Sequence, residues 1–416
     1  MHERRSKVWS TPLMAIAGLV LILLAPEIVP ATGQSISPTM PPFTQPVFSM
    51  TPKSALERLF NATSIEAEWF APTFLAQVPI AQVQQIIASI KAELRTYQGV
   101  ESEGEDYRIV FERGFVPTKI SLNANGQISG LFFQPARLKV GQLSDIVAAF
   151  KALPGQVSLL VLEDGTERIA FHAHQPLAVG STFKLAVLAT LIQQIQSGQH
   201  SWEEVVSLQG QWKSLPSGVL QTWPDASLLT VQSLAALMIS QSDNTATDHL
   251  MHLVGREAIE AVTLRNRPFL STREAFVLKS RKNFDLLQQY RLGDEAARRQ
   301  LLQTLVQKPL PTADEFTAEP VALDVEWFFT TTELCNLMAQ VKDLPLMSIN
   351  PGVAQPQHWQ QVAYKGGSEA GVLNLTTGLK AKDGKQYCVS ATWNNTVILD
   401  ESRFFTLYTS LLELLK

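Results

Sequence analysis

Pro176-Leu-Ala-Val-Gly-Ser181-Thr-Phe-Lys184-Leu-Ala-Val-Leu-Ala-Thr-Leu191 joins a strand-like run to an apolar helix pattern, with a Gly, a Ser and a Lys around the join. Residues three apart share a helix face, so Ser181 and Lys184 can meet there. A hydroxyl at the positive end of a helix, with an amine in reach to take its proton, meets the physical requirement for a serine nucleophile. A capped helix with a surface lysine is the plainer reading of the same residues. Ser-x-x-Lys occurs by chance about once in a chain of this size, so the motif decides nothing without partners.

The chain has 416 residues, enough for two domains with full cores. Its formal net charge is -4, with no basic block beyond the extreme N-terminus. That argues against a nucleic-acid partner, whose phosphates call for clustered Lys and Arg. His2, Arg4, Arg5 and Lys7 precede an apolar run from Leu13 to Ala25, and Ala31-Thr-Gly33 follows. A basic start, a run short for a bilayer and a small-residue exit describe a secretory signal over 1–33, with an uncleaved signal anchor as the alternative. An exported monomer, periplasmic or extracellular, is therefore expected, touching the membrane only through that segment. Cys335 and Cys388 fall on different predicted elements and read as two free, buried thiols, although an exported chain also permits a disulfide.

Residues 34–51 are rich in Pro, Ser and Thr and read as a flexible linker. From 52 to 140 a small unit has its own pattern. Helical periodicity covers Ser54–Asn61, Ser64–Leu75 and Ile80–Leu94, and strands follow at Tyr107–Arg113, Thr118–Leu122 and Gln127–Gln134. Asn125-Gly126 is a hairpin signal, and the acidic run Glu101–Asp106 reads as a solvated turn rather than a metal site. Helices before an antiparallel sheet predict an α+β unit.

Residues 141–416 form the second unit. After a short amphipathic helix or linker at 141–150, strands are predicted at Gln156–Leu162 and Glu167–Ala173. The Ser181 helix runs to Gln196, and further helices cover 230–239 and Asn244–Val254. Strands return at His358–Tyr364, Gly371–Lys380 and Gln386–Thr396, before a last helix at Phe404–Leu415. Strands at both ends with helices between predict one sheet assembled from non-local pieces, covered on both faces.

Two further motifs give Ser181 its company. Ser242-Asp243-Asn244 falls between two predicted helices, where a loop can point Ser242 and Asn244 into a cleft; Asn244 also suits a helix N-cap. Lys365-Gly366-Gly367-Ser368 ends a predicted strand, and its glycines let a backbone or a ligand approach closely. Each triplet is expected by chance in about one chain in ten or fewer. In this order and on these elements, they resemble the penicillin-recognising serine enzymes, most closely the class A β-lactamase-like hydrolases, over 141–416. The resemblance implies a β-lactamase/transpeptidase-like α/β/α sandwich with an antiparallel sheet. By element order, the small α+β domain before it resembles a cystatin/NTF2-like module.

The resemblance also implies roles. Ser181 would be acylated, Lys184 would act as its base, and Ser242 would pass a proton to the departing amine. Asn244 would hold the substrate's side-chain amide, and Lys365 a carboxylate. The N–H groups of Ser181 and Ser368, with Gly367 beside them, would form the oxyanion hole. No metal or other cofactor is called for.

Two departures stand out. Gly366 replaces the Thr or Ser that usually follows the Lys. The string Glu-x-x-Leu-Asn, whose Glu activates the deacylating water, is absent. Glu274 lies at roughly the right distance for that task, but Ser271/Thr272 followed by Glu274 reads equally well as a helix start. Residues 280–330 look like a solvated helical insertion able to cover the cleft. The expected reaction is acyl transfer to water, from a β-lactam or a related amide or ester. The alternatives are a D-alanyl-D-alanine carboxypeptidase or esterase acting on a peptidoglycan-derived or ester substrate, and a non-catalytic cell-wall-binding protein.

Overall fold

The computed structural model describes residues 50–139, 142–263, 265–316 and 319–416. The predicted signal segment 1–33 and the linker up to residue 49 lie outside them. Among the described residues no helix is long and apolar enough to cross a membrane. The described chain forms two compact units. One contains Leu143–Glu401 and Leu411–Lys416; the other extends to Gln142 and includes Ser402–Ser410.

The N-terminal unit opens with α1 (Pro52–Asn61), α2 (Pro72–Leu75) and α3 (Ile80–Leu94). A capping box between Thr51 and Ser54 starts α1, whose Ala55, Leu56, Leu59 and Phe60 are buried. The helix expected over Ser64–Leu75 is broken: Ala67–Trp69 is a 3-10 turn, and Pro72 holds Ala71 extended (ψ 141°) before α2 begins. Strands β1 (Tyr97–Glu103), β2 (Asp106–Phe111), β3 (Gly114–Leu122) and β4 (Ile128–Phe133) form an antiparallel sheet in that order, with β5 (Arg137–Leu138) beside β3. β1 has no sequence signal, because only Val100 of its seven residues is buried and the apolar alternation is missing. Its acidic end pairs across the hairpin, Glu101 and Glu103 both flanking Arg108. At the β3–β4 turn, Asn123 Oδ1 accepts from the N–H of Asn125 and of Gln127, both at 3.0 Å.

In the C-terminal unit the elements run α4 (Leu143–Lys151), β6 (Gln156–Glu163), β7 (Thr166–Phe171), β8 (Leu177–Ala178) and α5 (Lys184–Gln196). Then come β9 (Val205–Ser207), β10 (Leu228–Thr230), α6 (Val231–Ser240), α7 (Asn244–Val254), α8 (Arg256–Ala261), α9 (Thr272–Lys279), α10 (Phe284–Leu292) and α11 (Glu295–Leu305). Last are β11 (Phe328–Phe329), α12 (Thr331–Val341), β12 (Gln361–Glu369), β13 (Val372–Lys380) and β14 (Gln386–Asn394); the closing helix α13 (Glu401–Glu413) has its Ser402–Ser410 stretch in the N-terminal unit. One sheet, ordered β12-β13-β14-β6-β7 and antiparallel throughout, joins strands from both ends of the unit. The architecture is therefore mixed α/β with antiparallel sheets.

Nine consecutive residues of α5, Lys184–Ile192, are buried. A helix buried all round needs neighbours on every side, and α5 packs against α6, α7, α8 and α12. Its lysine is thus buried with its apolar residues. The insertion carries α10 and α11, which pack on each other and on α9 through buried Leu287, Tyr290, Leu302 and Leu305.

The reading of two free thiols is corrected. Cys335 of α12 and Cys388 of β14 form a disulfide. The helix crosses the sheet there, so two residues 53 apart in sequence sit with their Cα atoms 5.8 Å apart.

Candidate active site

The Ser181 segment is a 3-10 turn, Gly180–Phe183, running into α5. Residues i and i+3 eclipse in such a turn, which puts Ser181 and Lys184 on one face. The Lys184 N–H donates to the carbonyls of Ser181 and Thr182. Three contacts hold the turn. Asn394 pairs with both backbone groups of Ala178, Oδ1 accepting at 2.8 Å and Nδ2 donating at 2.9 Å. The Val179 N–H donates to the Trp327 carbonyl at 3.1 Å. The Trp327 ring stacks on Phe183 with centroids 4.0 Å apart and also donates through Nε1 to Leu270 O at 2.9 Å.

Ser242-Asp243-Asn244 connects α6 to α7. Asp243, rather than Asn244, is the N-cap: its Oδ1 accepts from the Ala246 N–H at 2.8 Å, and its Oδ2 from the N–H groups of Val219 and Leu220. Ser242 has φ 54°, left-handed backbone uncommon for a residue with a side chain. This conformation aims Ser242 at the lysines. Lys184 Nζ donates to Ser242 O and to Asn244 Oδ1, each at 2.6 Å, and lies 3.1 Å from Ser242 Oγ. Lys365 Nζ is also 3.1 Å from Ser242 Oγ and donates to Gly366 O at 2.5 Å. The Ser242 hydroxyl therefore bridges two buried amines.

Burial, then the charge of Lys365, pushes the Lys184 amine well below its ordinary value of 10.5. Burial alone brings Lys365 down to about 7. A neutral Lys184 can donate its two N–H groups to the two oxygens at 2.6 Å and turn its lone pair to the Ser242 hydroxyl. Among the described residues no hydrogen bond joins Lys184 Nζ to Ser181 Oγ.

Strand β12 extends through the third motif to Glu369 instead of ending at Tyr364, with Gly367 opposite Asn374 and Ser368 opposite Leu373. Gly367 is there for space. A Cβ on it would lie 2.2 Å from Val179 O and 2.5 Å from the amide nitrogens of Ser181 and Thr182. The strand backbone is thereby pressed against the Ser181 turn, which sets the Ser181 and Ser368 peptides side by side.

Glu274 is not part of this cluster. It sits at the third position of α9 in a capping box with Ser271, accepting from the Ser271 N–H at 2.7 Å. Its carboxylate also takes both ends of the Arg256 guanidinium, at 2.7 and 3.0 Å.

Several neighbours of the site carry no sequence signal. The Ser217 hydroxyl donates to Ser242 O at 2.7 Å, and Ser217 O accepts from the Asn244 N–H at 3.0 Å. Lys279, buried at the end of α9, donates to both oxygens of Glu369 (2.8 and 2.9 Å) and pairs with Glu326. Glu326 precedes Trp327 and Glu369 follows Ser368, so this triad connects the segments holding the two peptides. A capping box elsewhere in the chain or an aromatic next to an acid looks the same in sequence, so nothing marked these residues out.

Residues 140–305 match the model of the β-lactamase enzyme family. No curated protein matches the chain. Similar solved structures include a β-lactamase from Sphaerobacter thermophilus DSM 20745, 19% identical over 65% of this chain and 95% of that one, with TM-score 0.45. An ancestral (GNCA) class A β-lactamase is 17% identical over 66% and 100%, with TM-score 0.47. A structure titled PBP-A is 14% identical over 65% and 93%, with TM-score 0.42. Over residues 140–305, the span holding both Ser181-Thr-Phe-Lys184 and Ser242-Asp-Asn244, the chain matches the β-lactamase enzyme family, and its fold is β-lactamase-like.

Proposed function

We propose that the chain is an exported serine hydrolase that opens a β-lactam, or a related amide or ester, through an acyl-enzyme on Ser181. The observation carrying this reading is the Ser242 hydroxyl held at 3.1 Å from both Lys184 Nζ and Lys365 Nζ, beside the Ser181 turn. Neutral Lys184 removes the Ser181 proton as the oxygen attacks the carbonyl carbon. The developing oxyanion accepts from the N–H groups of Ser181 and Ser368. When the C–N bond breaks, the proton on Lys184 passes through Ser242 to the leaving nitrogen. Asn244 and Lys365 bind the substrate's amide and carboxylate. The Cys335–Cys388 disulfide supports export, since such bonds persist in oxidising compartments.

Glu274 shapes the second half of the reaction by its absence from it. Its carboxylate is taken up by Arg256 and Ser271, and no carboxylate among the described residues hydrogen-bonds to Lys184, Ser242 or Lys365. Slow hydrolysis of the acyl-enzyme follows, which favours the carboxypeptidase or esterase alternative over an efficient β-lactamase. With a chromogenic cephalosporin the chain should release about one equivalent in a burst and then turn over slowly, the kinetic mark of an accumulating acyl-enzyme. Glu274→Gln should leave the slow phase within about two-fold while lowering the melting temperature, because it removes one side of a buried ion pair. Loss of the slow phase in a folded Glu274→Gln would restore Glu274 as the deacylating base. A short-chain ester turned over much faster than the cephalosporin would identify the esterase.

A further inference from the structure

Gly366 removes the hydroxyl expected after Lys365, and the structure puts another one in that space. A Cβ on Gly366 would lie 2.1 Å from Tyr364 Oη and 2.9 Å from Tyr364 Cζ. The phenol oxygen therefore fills the volume that a side chain at 366 would take. Residues two apart on a strand share a face, so the Tyr364 ring can lean along β12 over its neighbour.

The ring is held in that pose from behind. A Cβ on Gly352 would come within 2.6–2.7 Å of Tyr364 Cγ, Cδ2 and Cε2, so the loop backbone lies flat against the ring. That loop is fixed in turn: the Gly352 N–H donates to Asn350 Oδ1, and Asn350 Nδ2 donates to Ser240 O, both at 3.0 Å. Ser240 is two residues before Ser242. Tyr364 is half-buried, and among the described residues its hydroxyl has no hydrogen-bond partner. The peptide under it is the one whose carbonyl, Gly366 O, accepts from Lys365 Nζ. A phenol is neutral at pH 7 and can donate to an anion.

We propose that Tyr364 donates its hydroxyl to the substrate carboxylate beside Lys365, standing in for the side chain that Gly366 lacks. This rests on the reading of Lys365 as the carboxylate site of a Ser181 acylase. It also explains the glycine, since any larger residue at 366 meets the phenol.

The test is single-turnover acylation of the full chain by benzylpenicillin and by its methyl ester, which has no free carboxylate. Tyr364→Phe keeps the ring and removes one hydrogen bond to a charged group. It should slow acylation by the acid about ten- to a hundred-fold and leave the ester within about two-fold. Tyr364→Ala/Gly366→Thr, which returns a hydroxyl to position 366, should regain part of the loss on the acid. Equal losses on acid and ester would make Tyr364 a merely structural ring, and no loss on either would make the phenol a bystander; both overturn the inference while leaving the acyl-enzyme standing. A folded wild type that neither probe acylates removes the acyl-enzyme reading and this inference with it.

Discussion

Replacing Lys184 by Met is expected to slow acylation of Ser181 by about a thousand-fold, within the range general-base catalysis contributes. The side chain is fully buried, and its surroundings keep the amine well below its ordinary value. Met fills nearly the same volume without a basic nitrogen, so the variant separates proton transfer from packing. Wild-type acylation should rise with pH as Lys184 loses its proton. It should fall again above about 7, where Lys365 becomes neutral and its attraction for an anionic substrate is lost. The methyl ester, with no carboxylate to attract, should lack the alkaline limb. Linkage has a defined sign here. Folded Lys365 titrates near 7 and its unfolded form near 10.4, so between those values the unfolded chain binds more protons and stability rises with pH. Acylation of folded Lys184→Met within about ten-fold of wild type would move the base elsewhere.

The second large effect concerns stability. Replacing Cys335 and Cys388 together by Ala should lower the stability of the C-terminal unit by about 4 kcal/mol, the chain-entropy value for a loop closed across 53 residues. That corresponds to a fall in melting temperature of roughly 10 °C for a unit of this size. A reductant should lower the wild type toward the variant and leave the variant unchanged. The bond pins α12 to β14, and neither cysteine touches the lysine cluster, so acylation at 25 °C should survive. Equal melting temperatures for wild type and variant, with two reactive thiols in the unreduced wild type, would sink this expectation.

The cluster of Lys184, Ser242, Asn244 and Lys365 is more legible in the sequence than its surroundings. Ser181, Lys184 and Ser242–Asn244 announce themselves because their geometry is set within a turn or a cap, over three or four residues. That strands from both ends of the unit share one sheet follows from where they fall in the chain, whereas their order comes only from the structure. The end of β12 is hidden in the sequence because Gly366 and Gly367 offer no side chains to alternate, although they pair with Leu375 and Asn374 without interruption. The cysteines could not be paired, since only the crossing of α12 over the sheet brings them together. Glu274 could be read two ways because a capping box and a general base use the same carboxylate. Arg256, eighteen residues earlier, is the partner that occupies it. Tyr364 was invisible for a similar reason: its meaning comes from the space above Gly366, which no linear pattern records.

Intact-protein mass spectrometry of the chain after exposure to benzylpenicillin, with the modified peptide mapped, goes straight to the nucleophile. Ring opening expels nothing, so the wild type should gain the mass of one whole penicillin, carried on Ser181, and Ser181→Ala should gain none. A folded wild type that shows neither adduct nor hydrolysed product, or an adduct that persists in Ser181→Ala, would contradict the mechanism at its first step.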